Sequence, residues 1–181
     1  MWVICHKSGT RLFTTNDEFT ALNRAQYGWV VKNMQELKVY KSHPLAHIPT
    51  YATQGSACFD IYAAIDEPYW CCVGEPVIVP TGLKFDIPEG WVLMVYSRSG
   101  HGFKNDVRLA NCVGIIDSDY TGELMVKLTQ DVDDIKPFRI DHGDRIAQGM
   151  LMPVTHVRMV EINKAPDKKG NRDGGMGSTG K

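Results

Sequence analysis

The stretch Gly82-Leu83-Lys84-Phe85-Asp86-Ile87-Pro88-Glu89-Gly90-Trp91-Val92-Leu93-Met94-Val95-Tyr96 decides the fold. It reads as two short strands, 82–87 and 91–96, joined by the turn Pro88-Glu89-Gly90. The pattern continues on both sides. Further candidate strands cover 58–63, 76–79, 113–116, 123–129, 145–152 and 156–162. Pro80-Thr81-Gly82 and Asp141-His142-Gly143-Asp144 supply turn signals between them. No long amphipathic helix interrupts the series. Short strands at this spacing predict an all-β sandwich or jelly roll and argue against alternating βαβ units.

This strand-rich zone spans about 37–162. Before it, residues 1–36 read as a small α+β appendage. Two apolar runs, 2–5 and 11–14, flank the turn Lys7-Ser8-Gly9-Thr10. Thr15 and Glu18 have capping-box spacing ahead of a helix whose face holds Phe19, Leu22 and Gln26. Gly28 is placed to end that helix, and Trp29-Val30-Val31 reads as a third strand. So small a unit is expected to dock on the main body or on a neighbouring chain. After the strand-rich zone, residues 163–181 form a tail with five lysines and arginines, two aspartates and almost no apolar side chains. Such a composition cannot bury enough surface to fold alone.

The chain has 181 residues, 43% of them apolar, enough for one domain with a substantial core. Twenty Lys and Arg stand against 21 Asp and Glu, which excludes a strongly basic nucleic-acid binder on composition. No apolar run approaches the roughly 18 residues of a membrane span. Neither does the N-terminus read as a signal peptide. Five cysteines without a C-x-x-C, two of them adjacent at Cys71 and Cys72, suit free thiols in a reducing cytoplasm.

Three clusters carry chemistry. Ser97-Arg98-Ser99-Gly100 sets a hydroxyl, a guanidinium and a glycine amide at a strand end, a compact phosphate grip or an ordinary polar turn. Asn111-Cys112-Val113-Gly114-Ile115-Ile116-Asp117-Ser118-Asp119-Tyr120-Thr121-Gly122-Glu123 reads as a β-hairpin, with Asp117 and Asp119 on one side of extended chain. These carboxylates orient a water, help neutralise a metal-bound substrate, or serve as turn residues. In the tail, Gly174-Gly175-Met176-Gly177-Ser178-Thr179-Gly180 offers amides and hydroxyls to an anion, with Arg172 nearby. Its likeness to a Walker A loop is hollow, because Lys181 has no following Ser/Thr or helix. Ser97 to His101 lacks the glycines of a nucleophile elbow. His43 and His47 lie four apart, but Pro44 and Pro49 break any helix that would align them on a metal.

Five segments in order complete the reading. They are Gly55-Ser56-Ala57-Cys58-Phe59-Asp60-Ile61-Tyr62-Ala63-Ala64, Ser97-Arg98-Ser99-Gly100, the stretch from Gly114 to Glu123, Gly143-Asp144-Arg145-Ile146-Ala147-Gln148, and the tail from Gly174 to Gly180. Together, over about 40–181, they resemble the trimeric dUTPase family. That resemblance implies a distorted jelly-roll homotrimer whose active sites each draw on three chains. The implied reaction is hydrolysis of dUTP to dUMP and pyrophosphate with Mg²⁺, which limits uracil in DNA and supplies dUMP for dTTP synthesis. The implied setting is the cytoplasm, bacterial or of a host cell. Neither stable nucleic-acid binding nor a membrane is expected, and residues 1–36 are a candidate contact for a protein partner.

By the same resemblance, Asn111 and Gly114 take the uracil edge and Tyr120 packs under the deoxyribose. Asp117 orients and activates water for attack on the α-phosphorus. Arg98, Ser99 and Gly100 hold phosphates from a neighbouring chain, with Gln148 near the α-phosphate. Arg172, Gly177, Ser178 and Thr179 grip the outer phosphates as the tail closes. Mg²⁺ is held mainly by the triphosphate, and Asp60 reaches it through water or braces the site. Asp144 and Arg145 are expected to pair with each other. Met176 stands where the family has a stacking Phe and covers the uracil with its thioether, Asn171 stands where it has the tail arginine, and Cys58 replaces a glycine as a small apolar core residue. Two other readings are a dCTP deaminase, whose signature is not found, and a nucleotide-gated binding module that regulates a partner.

Overall fold

The computed structural model of the chain describes residues 2–33, 35–132 and 136–167. The first unit runs β1 (Trp2–Cys5), β2 (Arg11–Thr15), α1 (Glu18–Gln26) and β3 (Val30–Asn33). Its strands form an antiparallel sheet in the order β2-β1-β3 and pair only with one another. Gly9 turns the β1–β2 hairpin, with the His6 amide donating to the Thr10 carbonyl at 2.8 Å. Asp17, not Thr15, caps α1, because its Oδ2 accepts the Thr20 amide at 3.1 Å. Thr15 instead accepts the Asp17 amide, one step before the helix. Gly28 ends the helix as expected, with a left-handed φ of 73°.

The main body is built from β4 (Lys38–Lys41), β5 (Phe59–Tyr62), β6 (Tyr69–Cys71), β7 (Val77–Pro80), β8 (Leu83–Asp86) and β9 (Trp91–Tyr96). Then come α2 (Ser99–Asn105), β10 (Val107–Leu109), β11 (Val113–Ile116), β12 (Met125–Gln130), β13 (Phe138–Ile140) and β14 (Arg145–Pro153). One sheet has the order β11-β9-β14-β5, a second β10-β12-β7, and two ribbons pair β13 with β6 and β4 with β8. All these strand pairs are antiparallel. This is the expected distorted jelly roll.

Alternation explains the core. Leu83 and Phe85, Leu93 and Val95, Val126 and Leu128, and Phe59 and Ile61 all turn inward at i and i+2. With Val79, Leu109, Ile140 and Ile146 they form one cluster shared by both sheets and both ribbons. Each such fully buried side chain stabilises the fold by about 1.5–3 kcal/mol. Buried polar groups are partnered. Thr81 Oγ1 donates to the Leu124 carbonyl at 2.7 Å, and Gln130 Nε2 donates to the carbonyls of Asn105 and Lys136. Gly82 has φ 64°, and a Cβ there would lie 2.8 Å from those of Ala46 and His43. Only glycine fits that corner.

Two expectations change. β11 pairs with β9, while β12 pairs with β10 and β7, so 113–129 is not a hairpin. The Asp117–Glu123 loop instead crosses from one sheet to the other. Residues 156–162 form no strand, and Val157, Met159, Val160 and Ile162 are 61–86% exposed. Among the described residues, no helix is long and apolar enough to cross a membrane.

Candidate active site

β14 lies between β9 and β5, which sets Gln148 opposite both Tyr96 and Asp60. The chain leaving β9 therefore arrives beside Asp60, Arg145 and Gln148. Gln148 Nε2 donates to the Ser97 carbonyl at 2.8 Å, and Ser97 Oγ accepts the Leu109 amide at 2.9 Å. Arg98 Nε donates to Asp60 Oδ1 at 3.3 Å, and Arg145 Nη1 donates to Asp60 Oδ2 at 3.4 Å. Asp60 is only 13% exposed. Two guanidiniums around one carboxylate leave one net positive charge at the mouth of a cleft of about 300 Å³. Ser56, Cys58, Ser99 and Gly100 also line that cleft. Open space surrounds the position a Gly100 Cβ would take. Four expected phosphate residues, Arg98, Ser99, Gly100 and Gln148, thus meet in one place.

Two expectations are corrected here. Arg145 pairs with Asp60 rather than with Asp144, whose Oδ2 accepts the Asp141 amide at 2.8 Å. Non-local strand pairing, which a local reading of adjacent charges misses, puts Asp60 opposite β14. Of its two expected roles, Asp60 has the geometry of a brace, since each oxygen takes a guanidinium. Cys58 lines the cleft instead of the core, and partial burial pushes its thiol pKa up.

His101 also belongs to this corner. Its Nε2 lies 2.6 Å from the Arg145 carbonyl, and its ring meets Phe138 edge-on at 4.8 Å. Burial lowers its pKa, the Arg145 carbonyl bond opposes this, and the charges of Arg98 and Arg145 lower it further. The sequence reading missed both His101 and the placement of Arg145. The available signal was position, because His101 directly follows Ser97-Arg98-Ser99-Gly100.

The 111–123 segment forms a second locus. The Asn111 amide nitrogen donates to the Val113 carbonyl at 3.3 Å and lies over Gly114. A Cβ on Gly114 would come within 3.0 Å of Val95, so β9 and β11 approach closely there. Beyond β11, the Tyr120 amide donates to the Asp117 carbonyl at 3.2 Å, which turns the chain. Tyr120 packs over Gly122 and donates its hydroxyl to the Glu123 carbonyl at 2.9 Å. Glu123 Oε1 accepts the Gly82 amide at 2.8 Å and ties the loop to β8. Asp117, Asp119 and Tyr120 are exposed.

The two loci are separated within one chain. Tyr96 pairs with Val113 at one end of β9–β11, and Leu93 pairs with Ile116 at the other. Arg98 follows the first end and Asp117 the second. Three residue steps of strand, roughly 10 Å, lie between those ends before the extra residues are counted. Arg172, Met176, Gly177, Ser178 and Thr179, with Asn171, lie outside the described residues. His47 packs against the rings of Tyr62 and His142, and His43 Nδ1 accepts the Leu45 amide. Among the described residues, no three His, Cys, Asp or Glu side chains gather as a metal cage.

The fold and the site together define a jelly-roll β protein with a cationic cleft at a sheet corner. The dUTPase family model matches residues 45–180, and the chain belongs to that family. It is 42% identical over 135 residues to deoxyuridine 5'-triphosphate nucleotidohydrolase of Rhizobium rhizogenes, covering 74% of this chain and 85% of the relative. The Histophilus somni protein of the same name is 44% identical over 137 residues, covering 74% and 87%. Among solved structures, the dUTPase of Staphylococcus bacteriophage 80alpha with dUPNHPP has a TM-score of 0.72 at 24% identity, covering 81% of this chain and 99% of that one. A mutant dUTPase from phage phi11 of S. aureus, described with a structural Mg(II) ion, has a TM-score of 0.64 at 23% identity, covering 72% and 98%.

Proposed function

We propose that the chain hydrolyses dUTP to dUMP and pyrophosphate by water attack on the α-phosphorus. The observation that carries this reading is the convergence of Arg98, Ser99, Gly100 and Gln148 on one cationic cleft, in a chain of the dUTPase family. The relatives' nucleotidohydrolase name favours it over the deaminase and the regulatory module.

The chain's own groups divide the work. Asn111, with one amide donor and one acceptor, and the backbone at Gly114 read the uracil edge. A mismatched pyrimidine would leave buried polar groups unpaired, which discriminates strongly. The Tyr120 ring, backed by Gly122, supports the sugar and crowds a 2′-hydroxyl. Asp117 orients the attacking water and accepts its proton. Arg98, Ser99, Gly100 and Gln148 hold the triphosphate, while Asp60 keeps the two guanidiniums aligned. Phosphoryl transfer depends mostly on such positioning and charge neutralisation.

Magnesium fits as an ion carried on the triphosphate oxygens. The described residues build no cage for it, and Asp60 already holds two cations. When bound, Mg²⁺ neutralises phosphate charge and favours pyrophosphate departure.

A shared-site homotrimer accounts for three features. Asp117 and Arg98 stand at opposite ends of β9–β11, Asp117 is exposed, and segment 156–162 has no partner strand among the described residues. The tail, with Arg172, Met176, Gly177, Ser178 and Thr179, closes over the bound nucleotide. Residues 1–36 are a separate appendage available to a protein partner, and the enzyme is cytoplasmic.

The test is pyrophosphate release from dUTP and Mg²⁺, compared with dCTP, dTTP and UTP. Selective dUTP turnover, lost by at least about 100-fold in Asp117→Asn, is expected from removal of a positioned base. Equal turnover of dCTP, or full activity in that variant, overturns the assignment. Deleting residues 169–181 should abolish most turnover while leaving thermal melting unchanged.

A further inference from the structure

α2 is a weak helix in the wrong place to be weak. It has seven residues, two of them glycine, and none of its side chains is fully buried. Each glycine costs a helix about 1 kcal/mol relative to alanine, and so short a helix does not persist alone. Yet its first residues are Ser99 and Gly100, and Arg98 immediately precedes it. An external tie is needed to hold the grip in shape.

His101 is that tie. On one side its ring edge rests on Phe138 of β13. On the other, Nε2 lies 2.6 Å from the Arg145 carbonyl of β14. A carbonyl only accepts, so Nε2 carries the hydrogen. Arg98 Nη1 donates to that same carbonyl at 3.2 Å. The 3.4 Å separation of Arg98 Nη1 from His101 Nε2 therefore brings two donors together and is not a bond between them. Both aim at the two lone pairs of one oxygen. Burial and the flanking guanidiniums favour the neutral ring, which donates there without adding a third cation.

We propose that His101 is a positioning residue for the hydrolysis, fixing Arg98, Ser99 and Gly100 through the Arg145 carbonyl. This rests on the reading of those three residues as the phosphate grip. His101 touches no substrate; it sets where the guanidinium and the first turn of α2 stand when the triphosphate arrives. Its loss acts mainly on KM, because a phosphate grip binds ground and transition states alike.

The experiment compares steady-state dUTP hydrolysis, with Mg²⁺, in three substitutions. Glutamine places an amide N–H where the imidazole carries Nε2–H; asparagine is polar but too short; leucine fills the space without a donor. His101→Gln should keep KM within about twofold, while His101→Asn and His101→Leu should raise it on the order of tenfold with a smaller change in kcat. In an Arg98→Ala background, His101→Asn should add little, because coupled residues are non-additive. An unchanged KM in His101→Asn, or equal damage in all three variants, overturns the proposal. Should His101→Leu fail to fold, the glutamine–asparagine contrast still decides. An unchanged KM in Arg98→Ala would instead remove the grip reading beneath it.

Discussion

Gln148 binds Ser97 across the sheet, its Nε2 donating to the Ser97 carbonyl at 2.8 Å. The bond joins β14 to the chain just before Arg98, so the residue assigned to the α-phosphate also fixes the path into the grip. Gln148→Met keeps the shape and removes the donor. The part-buried Ser97 carbonyl then loses its amide partner, at a cost of about 1–2 kcal/mol. A lowered urea midpoint together with a rise in KM for dUTP is expected. A change in neither would show that this bond contributes nothing.

Tyr120 depends on Gly122 for its place. A Cβ on Gly122 would overlap the Tyr120 ring and hydroxyl. In Gly122→Ala the ring must leave, and its bond to the Glu123 carbonyl goes with it. Sugar discrimination should then weaken. The ratio of kcat/KM for dUTP over UTP should fall on the order of tenfold, about 1.4 kcal/mol. An unaltered ratio would detach Tyr120 from that role.

Asp60 holds two arginines that otherwise repel each other. Asp60→Asn keeps the size but removes the charge between them. Leaving part-buried cations unpaired costs several kcal/mol in a closed interior. Arg145 is half exposed, so solvent reduces this to about 1–3 kcal/mol. Thermal melting should fall, and dUTP affinity should fall with it as Arg98 moves. If melting drops while KM holds, Asp60 serves the fold alone.

The pH dependence of stability carries a signature of His101. Burial, opposed by the carbonyl bond at Arg145 and by Asp144 but reinforced by Arg98 and Arg145, lowers its pKa from 6.5. The unfolded chain then binds more protons than the folded one between that lowered value and 6.5. Stability therefore rises with pH through this window and is fully present above it. Denaturation midpoints of wild type should drop on acidification from about pH 7.5 to about pH 5 by more than those of His101→Gln. Parallel curves for the two proteins would deny His101 any share.

Legibility in the sequence followed interaction range. Strands with several alternating or continuous apolar residues, such as β9 and β14, lie where their residues predict them. β10 and β13 are three residues long, too short to show a period, and Lys38-Val39-Tyr40-Lys41 of β4 is mostly exposed. Gly100 and Gly102 hid α2, whose shape depends on distant contacts of His101. The apparent hairpin at 113–129 had correct strands but the wrong partners, because pairing is decided across the whole sheet. Within the site, Arg98, Ser99, Gly100 and Gln148 were readable as a group. The bonds of Asp60 to Arg98 and Arg145 were not, since they span 38 and 85 residues of chain.

Met159 is 86% exposed and stands among Val157, Val160 and Ile162 on a segment that pairs with no strand among the described residues. On the proposed shared-site trimer, a solitary copy leaves these side chains in water and holds only part of each active site. Dilution should silence the enzyme: below the concentration at which copies find one another, specific activity per milligram declines as the sample is thinned. On that assembly, activity rises more steeply than in proportion to the amount of chain.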